Sequence, residues 1–512
     1  MKVFNFTHFY MASVHQTIED VQEQCSRIGR NPLFLTNNNE ICGYILFEDI
    51  QATINRSASV TTIMKQCPIV TFGSDQNARI QLISRDEKII AWTFGKEELP
   101  RYAVHEIEPQ RIHDFGLFTP WLIKISETAE QCGCPIYMAG GVVRDFILQT
   151  EIRDIDFVVQ GDLFRLVDSL HKNFGGILNK EILFDAAHWT TPDGDTFDFT
   201  VARSEHYASP ATIPQVQKGT ILDDIMRRDF SINSMLISMQ SSNLGCIIDA
   251  TDGIQGLKEK SLHILHDQSF RDDPTRIFRG ARYAGRYRLA RSHRTKNAME
   301  LCLSKGYLTG LPFEQVGKEL QKIFQEKDSE QAWNLLKDWN VLEHLFGTND
   351  ITLTPTLAAW QEINQQGICP KIDKCLLLWL CFIMQISNDT KFHPLTNILK
   401  GGAKLWSAIA PSVRNAEHTL HDTQNNGDIG AILYKLTPES LVYLYQSHPS
   451  SIKWWLITGI KRKTVVNGTW LVNEGCPKGP YIGEALRKAQ YAAWMGYAHE
   501  EQRKIAKNVW IE

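Results

Sequence analysis

The chain has 512 residues, of which 43% are hydrophobic and 22% charged, and its formal net charge is −4. This composition is that of a globular protein with more than one core, and the length predicts three or four domains. The negative net charge excludes a protein that holds nucleic acid by overall basicity, so an RNA site would have to rest on local basic patches.

The apolar segments and the cysteines indicate the compartment. Residues 1–16 have no continuous apolar core, so no signal peptide is predicted. The longest apolar run, Cys375 to Met384, is shorter than the ~20 residues that cross a bilayer, and it predicts a buried helix. The eleven cysteines are scattered, which favours free thiols in a reducing compartment. We therefore expect a cytoplasmic protein without a membrane partner.

Residues 1–112 contain two segments that echo each other. Segments 32–50 and 80–99 each read as strand, polar turn, strand and acidic helix start, and Ile41 stands 48 positions before Ile89. A repeat of this period indicates duplicated supersecondary units. The linker between the segments resembles that of a CBS-domain pair, so we interpret the region as a CBS-like α/β module with an adenine nucleotide as a candidate ligand. The alternative is an unrelated α+β domain.

Helices and strands are predicted to alternate over residues 118–250, and helices to dominate after 250. The elements expected in the first region are a helix at Trp121–Gln131, strands at Ile136–Ala139 and Asp154–Val159, and a hairpin over 190–200. Its Asp193-Gly194 pair suits a primed turn. Near the end of the chain, one helix is expected from Glu484 to about Val509.

Two glycines, Gly140 and Gly141, separate the first of these strands from a short helix that contains Arg144 and Asp145. Glycine lets the backbone approach a ligand closely, and a helix N-terminus offers free N–H groups to a phosphate. Arg144 could add a charge-assisted contact. A glycine pair alone is weak support for such a site.

Carboxylates follow on the next predicted strands. Asp154 and Asp156 are two positions apart, so both side chains project from one face of a strand while Ile155 faces the other layer. Adjacent carboxylates repel each other unless a cation neutralises them, and Mg²⁺ prefers oxygen ligands. Asp198, in the predicted hairpin, is the candidate third carboxylate. Solvated acidic side chains at a strand end are the alternative.

Two later motifs combine arginines with aspartates. In RRDFSIN, Arg227 and Arg228 stand beside Asp229 and suit phosphate and ribose recognition. In DDPTRIFR, Asp273 and Arg276 are three apart and can share a helix face, where they could read the edge of a base. Charged helix faces are the alternative for both motifs.

The order GGVVRD, DID, FDFTVAR, RRDFSIN and DDPTRIFR resembles class II tRNA nucleotidyltransferases, the CCA-adding enzymes, and their bacterial poly(A) polymerase relatives over about residues 115–350. The resemblance implies that Asp154, Asp156 and Asp198 are the catalytic, metal-binding carboxylates. It also implies these nucleotide-binding residues: Gly140, Gly141, Arg144, Asp145, Arg227, Arg228, Asp229, Asn233, Asp272, Asp273, Arg276 and Arg279.

The fold class implied by the resemblance is α+β. A small polymerase-beta-like nucleotidyltransferase domain with a mixed sheet is expected over 113–255, after the CBS-like module. It would be followed by an all-helical neck at 256–350 and a helical, tRNA-binding body and tail at 351–512.

The implied activity is Mg²⁺-dependent, template-independent addition of C and A nucleotides from CTP and ATP to the 3′ end of tRNA. Poly(A) polymerase, or an enzyme that adds only CC or only A, is the alternative within the class. The tRNA enzyme is favoured because the region before the glycine pair, around Pro135 and Tyr137, lacks the basic stretch of bacterial poly(A) polymerases. Outside the class, the alternative is an inactive RNA-binding or nucleotide-sensing protein.

Overall fold

The computed structural model describes residues 11–22, 33–37, 40–45, 49–50, 57–65, 69–71, 80–85, 88–94, 103–106, 115–116, 118–152, 154–241, 244–386, 390–399 and 402–511. Two compact units divide the chain: Met1–Gly280 with Tyr287–Leu308, and Ala281–Arg286 with Thr309–Glu512. All the described strands lie in the first unit. The neck predicted over 256–350 is therefore divided between the two units.

Two three-stranded sheets form the N-terminal region: β1 (Met11–Ser13), β2 (Leu33–Asn37) and β3 (Glu40–Ile45), then β4 (Ile69–Thr71), β5 (Ile80–Arg85) and β6 (Lys88–Phe94). In each sheet the first two strands are parallel and the last two antiparallel. Each hairpin has a register shift, between Leu35 and Thr36 in one and between Ile83 and Ser84 in the other, again 48 positions apart.

The duplicated strand hairpins predicted for the N-terminal region are therefore confirmed at the level of the backbone. The interpretation as a CBS-like module with an adenine nucleotide stays a prediction. The acidic helix start at Glu97, and residues 66–68 and 72 of the segment compared with a CBS linker, lie outside the described residues.

An eight-stranded sheet follows, in the order β10-β11-β12-β9-β8-β15-β16-β7. Its strands are β7 (Ala103–Glu106), β8 (Ile136–Ala139), β9 (Ile155–Val159), β10 (Ile177–Glu181), β11 (Ala186–Thr190), β12 (Thr196–Val201), β15 (Leu236–Ser238) and β16 (Cys246–Asp249). Strand β7 pairs with β16, so residues 103–106 belong to this eight-stranded sheet. The predicted boundary at 112 had placed them in the N-terminal module. The sequence of β7 alone gave no sign of this distant partner.

Alternating side chains of the central strands separate two layers. On one face of the sheet Phe157 stacks on Phe199 with ring centroids 5.0 Å apart, and Trp189 meets Trp121 edge-on at 5.4 Å. On the other face Val158 belongs to an apolar cluster with residues of the helix Ile221–Met226. Asp156 shares that second face, because side chains two positions apart on a strand point the same way.

The hairpin between β11 and β12 turns at the predicted place but with a different geometry. The amide of Thr191 donates to the carbonyl of Asp195 at 2.8 Å, and of the Asp193-Gly194 pair only Gly194 has positive φ, at 96°. A primed two-residue turn requires positive φ at both central residues. The longer connection, with Pro192 before the pair, needs a positive φ at the glycine alone.

The first unit has helices on its sheet and after it: α1 (Thr119–Cys132), α2 (Gly141–Ile147), α3 (Leu163–Phe174), α4 (Ile221–Met226), α5 (Gly253–Lys258), α6 (Ser269–Asp272), α7 (Arg276–Tyr287) and α8 (His293–Ser304). The short strands β13 (Arg203–His206) and β14 (Gln215–Lys218) pair with each other, as do β17 (Ser261–Leu262) and β18 (Ala290–Arg291). Within helix α7, residues 276–280 and 287 belong to the first unit and residues 281–286 to the second.

In the second unit all named elements of the described residues are helical: α9 (Phe313–Gln325), α10 (Ser329–Asp338), α11 (Val341–Phe346), α12 (Thr354–Gln365), α13 (Lys374–Gln385), α14 (Gly402–Lys404), α15 (Ala410–His421), α16 (Asn426–Leu433), α17 (Pro438–Tyr445), α18 (Pro449–Ile457), α19 (Gly468–Asn473), α20 (Pro480–Met495) and α21 (His499–Ile511), with shorter turns between them. Helix α13 contains the long apolar run and buries Trp379 against Phe324 at 5.1 Å, as predicted. Among the described helices, none is long and apolar enough to cross a membrane.

The prediction of a single helix from Glu484 to about Val509 is wrong, because two helices cover this segment. Helix α20 ends at Met495, and Gly496 follows with φ of 89° before α21 begins at His499. A left-handed glycine is a common helix C-terminus, because it accepts this conformation without a steric penalty. The apolar periodicity runs through the break and hides it.

Candidate active site

The acidic strand face predicted from the sequence lies on the eight-stranded sheet. Strands β9 and β12 are parallel, and their register puts Asp156 directly beside Asp198. Along β9, Asp156 is exposed between the buried side chains of Ile155 and Phe157, and Asp154 immediately precedes the strand and is also exposed. The structure thus brings Asp156 and Asp198 together on an open face.

Electrostatics at this face are unfavourable without a counterion. The pKa of Asp156 is raised, first because surrounding protein restricts its hydration and next because Asp198 carries the same charge. Asp154 adds to the shift, whereas Arg228 and His188 oppose it. Carboxylate oxygens that repel each other have the donor chemistry that suits a hard cation such as Mg²⁺. Within the described residues, however, no three acidic, histidine or cysteine side chains are already gathered closely enough to hold a metal.

His188 is a residue of this face that the sequence analysis missed. It lies opposite Asp198 in the antiparallel pair of β11 and β12, and its Nδ1 hydrogen-bonds the Asp198 carboxylate. This hydrogen bond raises the pKa of the His188 imidazole. The signal was available in the sequence, because His188 and Asp198 are each five positions from Asp193 in the predicted hairpin.

The glycine pair forms the turn between β8 and α2. Gly140 has φ of 76°, and its amide donates to the carbonyl of Met235 at 3.3 Å. A Cβ atom at Gly140 would stand 3.0 Å from Nη1 of Arg228. The close approach predicted for this turn is therefore made by an arginine of the RRD motif, and Gly141 opens the helix as expected.

Arg144 and Asp145 follow on α2 and bind each other. The Arg144 side chain is almost wholly buried; it donates to Asp145 at 2.9 and 3.0 Å and also to the Asn233 side chain. Its guanidinium lies 4.6 Å from the ring centroid of Tyr287, whose hydroxyl donates to Asp145 at 3.0 Å. In this structure Arg144 binds protein side chains next to the glycine turn. Its predicted contact with a phosphate stays a prediction.

The two arginines of RRD share one buried carboxylate. Arg227 and Arg228 both donate to Asp224, at 2.6 and 2.8 Å, and the Asp224 side chain is fully buried. Burial by itself would raise the pKa of Asp224, but the two guanidinium groups hold it below its usual range. Asp224 was missed as part of the site, although its spacing of three and four residues from the arginines on a helical turn was the signal.

Asp229, the third residue of the RRD motif, binds side chains from two other positions. Its carboxylate accepts from Nδ2 of Asn233 at 3.1 Å and from Arg279 of α7 at 2.7 Å. Although burial opposes it, Arg279 and Asn233 lower the pKa of Asp229. The predicted Asp229, Asn233 and Arg279 thus form one cluster, and Arg279 links the RRD motif to α7.

The predicted base-reading pair stands at the start of α7. Helix α7 begins at Arg276, and Nε of Arg276 lies 3.8 Å from Oδ2 of Asp273. Arg276 is nearly buried, Asp273 keeps 30% of its side chain exposed, and Asp272 is buried. The two members of the pair therefore share a surface, whereas Asp272 faces the interior.

With this geometry established, the chain can be compared with known proteins. Residues 136–263 match the family described as the poly A polymerase head domain. We call this matched segment the head. The resemblance inferred from the motifs is thereby confirmed, and the head contains the glycine turn, the acidic strand face and the RRD arginines.

Curated relatives of the chain are named as tRNA nucleotidyltransferases. An A-adding enzyme of Aquifex aeolicus is 31% identical over 49% of this chain and 31% of its own length, and one of Geobacter sulfurreducens is 29% identical over 81% and 50%. A CC-adding enzyme of Deinococcus radiodurans is 34% identical over 33% and 45%. The chain thus spans half or less of the length of these relatives.

Solved structures of CCA-adding enzymes share the fold. The Thermotoga maritima enzyme complexed with tRNA matches with a TM-score of 0.62 and 23% identity, and CCA-adding enzyme complexes with ATP and with CTP each match at 0.64 and 22%. All three cover 79% of this chain and 96% of their own. The predicted α+β class, a mixed-sheet nucleotidyltransferase head followed by helices, is confirmed.

Proposed function

We propose that this protein transfers nucleotides from CTP and ATP to the 3′ end of tRNA without a template. The observation that carries the proposal is the register that sets Asp156 beside Asp198 on an open strand face. Arg228 of RRD lies near both the glycine turn and this face, since its Nη1 would stand 3.0 Å from a Cβ at Gly140 and its charge lowers the pKa of Asp156. The names of the relatives support tRNA as the acceptor, and we expect the enzyme to act in the cytoplasm.

The transfer is a displacement at phosphorus. The 3′-hydroxyl oxygen of the RNA forms a bond to the α-phosphorus, the bond from that phosphorus to the bridging oxygen breaks, and pyrophosphate leaves. The hydroxyl proton passes to solvent. Such a reaction depends on positioning and on stabilisation of charge rather than on covalent chemistry by the protein.

Asp154, Asp156 and Asp198 would hold Mg²⁺. Bound there, the ions would neutralise these carboxylates and stabilise charge on the entering and leaving oxygens. His188 would keep the Asp198 carboxylate in one orientation through its hydrogen bond. Arg228, beside Gly140, is the guanidinium best placed to meet the triphosphate at the glycine turn.

Nucleotide selection would fall to Asp273 and Arg276. A carboxylate accepts hydrogen bonds from the exocyclic amino group that C and A share, and a guanidinium donates to ring nitrogens or a carbonyl oxygen. Arg279, held by Asp229, would add a positive charge near the nucleotide. The helical second unit would contact tRNA by shape and backbone.

Addition of A alone is the second candidate, and the names of the Aquifex and Geobacter relatives favour it. One experiment separates these activities and tests the proposal. The full chain is incubated with Mg²⁺, each ribonucleoside triphosphate in turn, and tRNA that lacks three, two or one of its terminal nucleotides. Growth that stops after CCA supports the full reaction, and A added only to an end in CC supports the second candidate.

Continued addition of A would indicate a poly(A) polymerase. Transfer of no nucleotide to any of these tRNAs would contradict the proposal. Binding of CTP or ATP without turnover would favour the inactive nucleotide-sensing protein.

A further inference from the structure

A short hairpin lies beside the base-reading pair; apart from Arg203, the last residue of the FDFTVAR motif, neither the motifs nor the proposed function uses it. Strands β13 and β14 pair antiparallel, with Arg203 opposite Lys218 and Glu205 opposite Val216. The loop between them returns to the site, because the amide of Ala211 donates to the carbonyl of Arg271 at 3.1 Å. The hairpin is therefore tied to the segment that leads into α7.

Glu205 is the centre of a hydrogen-bonded chain on this hairpin. Its Oε2 accepts from the hydroxyl of Tyr207 at 3.0 Å. Its Oε1 accepts from Nη1 of Arg227 at 3.0 Å and lies 3.2 Å from Nη2 of Arg203. The Glu205 side chain is only 9% exposed, so these contacts are largely shielded from water.

The chain of contacts continues to the base-reading pair through Arg227. Nη2 of Arg276 donates to the main-chain carbonyl of Arg227 at 2.7 Å, and Nη1 donates to the hydroxyl of Ser269 at 2.8 Å. These bonds fix the guanidinium plane of Arg276 and leave its Nε 3.8 Å from Asp273. Arg227 thus connects Glu205 with Arg276.

Tyr207 is also coupled to the pair electrostatically. Burial raises the pKa of its hydroxyl, and the charges of Arg276 and Asp273 both act on it. A tyrosine in this state is neutral and donates its one proton, here to Glu205. Tyr207 therefore supports the Glu205 carboxylate, which binds Arg227.

We infer that Glu205 and Tyr207 are positioning residues for nucleotide selection, which hold Arg276 and Asp273 in the geometry that reads the base. This inference rests on the proposed function. Discrimination by hydrogen bonds is steep, because a wrong base leaves buried polar groups unpaired. It depends on donors and acceptors that do not shift, so relaxing their support lowers discrimination more than it lowers transfer itself.

The test compares Tyr207→Phe and Glu205→Gln with the unchanged chain, on tRNA lacking three, two or one terminal nucleotides. On each acceptor the rates with CTP, ATP, GTP and UTP are measured, and the readout is the rate ratio of the preferred to the best non-preferred nucleotide. Since a lost hydrogen bond is worth ~1 kcal/mol, we expect this ratio to fall about threefold to tenfold.

A matched control is Tyr137→Phe. Its hydroxyl accepts from Gln240 at 2.8 Å in the same head domain, so this variant also loses one tyrosine hydrogen bond, but not one next to Asp273 or Arg276. We expect its ratio to match that of the unchanged chain. Tyr207→Phe removes a single oxygen and keeps the test informative even where Glu205→Gln fails to fold.

Each outcome decides the inference. A fall in discrimination in Tyr207→Phe but not in Tyr137→Phe supports it. Unchanged discrimination, or an equal loss of rate with every nucleotide, overturns it, because the hairpin would then have only a structural role. If the unchanged chain transfers no nucleotide, the proposed function is overturned, and the inference with it. If the unchanged chain is active and only the expected fall in discrimination is missing, the inference alone is overturned.

Discussion

The acidic strand face and the arginine cluster around Asp224 differ in how their carboxylates are neutralised. Asp154 and Asp156 are exposed, Asp198 is half-buried, and the pKa of Asp156 is raised partly by the other two. Asp224 is fully buried between two guanidinium groups, and its pKa is lowered. The acidic strand face thus carries excess negative charge that a cation could neutralise. In the Asp224 cluster, arginines of the protein already neutralise the carboxylate.

This difference separates what the two regions can do. An uncompensated cluster in contact with solvent gains stability when it binds an ion or substrate, which is how perturbed carboxylates mark functional sites. A paired, buried cluster holds its neighbours in place and loses stability when one member is removed. We therefore expect substitutions on the acidic strand face to change activity and loss of the Asp224 carboxylate to change folding.

The largest effect should follow from Asp156→Ala. Without this carboxylate the site loses a ligand for Mg²⁺, and charge at the reacting phosphate is no longer stabilised, so the rate of nucleotide incorporation should fall on the order of 10³-fold. The matched control is Asp193→Ala, an exposed carboxylate in the turn of the same hairpin, which should keep the full rate. Thermal stability of both variants should be near that of the unchanged chain, and an active Asp156→Ala protein would refute the metal assignment.

Asp224→Asn should act in the opposite way. It leaves two partly buried guanidinium groups without a full counter-charge from the buried Asp224 position, so the free energy of unfolding of the head should fall by about 3 kcal/mol. Hydrogen exchange of peptides from β8 and β9 measures this locally in the full chain. Glu300→Gln, which removes an exposed ion pair with Lys296, should change stability by about 0.5 kcal/mol or less.

The same aspartate should make stability depend on pH in a defined direction. Because the pKa of Asp224 is lower in the folded than in the unfolded chain, its stabilisation is fully present above about pH 4 and is lost as the pH falls through the folded value. The slope contributed by one carboxylate reaches at most about 1.4 kcal/mol per pH unit. Asp224→Asn should flatten the acid limb of the exchange profile, and an unchanged profile would show that the pairing contributes nothing.

Much of the acidic face was predictable because strand geometry is local. The spacing of Asp154 and Asp156 sets their common direction, and the hairpin of β11 and β12 turns where its Asp-Gly pair stands. Asp198 was named as the candidate third carboxylate, with its role implied by the resemblance, but the parallel pairing of β9 and β12 that sets it beside Asp156 was not predicted. His188 was missed, although counting back from the turn would have found it.

The buried cluster was harder to foresee because its contacts join distant segments. Sequence spacing suggests that Arg227 and Arg228 can reach Asp224, but not that Arg279 binds Asp229, fifty positions earlier. The pairing of β7 with β16 and the break at Gly496 were likewise hidden. In the first case the partner strands are far apart in the chain, and in the second the apolar periodicity continues across the break.

Gly140 lies where the two regions meet, so Gly140→Ala offers the finest test of their difference. The positive φ of 76° imposes a backbone cost of about 1–2 kcal/mol on alanine. The new Cβ would also press on Nη1 of Arg228 at 3.0 Å, and this arginine acts on the charge of Asp156. We therefore expect a modest loss of stability together with a fall in incorporation rate of about tenfold.

Gly194→Ala separates these two causes. Gly194 also has positive φ, at 96°, but nothing stands within 4 Å of a Cβ built there. It should lose a similar amount of stability, measured by thermal unfolding, and keep the incorporation rate of the unchanged chain. An equal fall in rate for both variants would mean that backbone strain alone affects the site, and that Arg228 does not link the glycine turn to the acidic strand face.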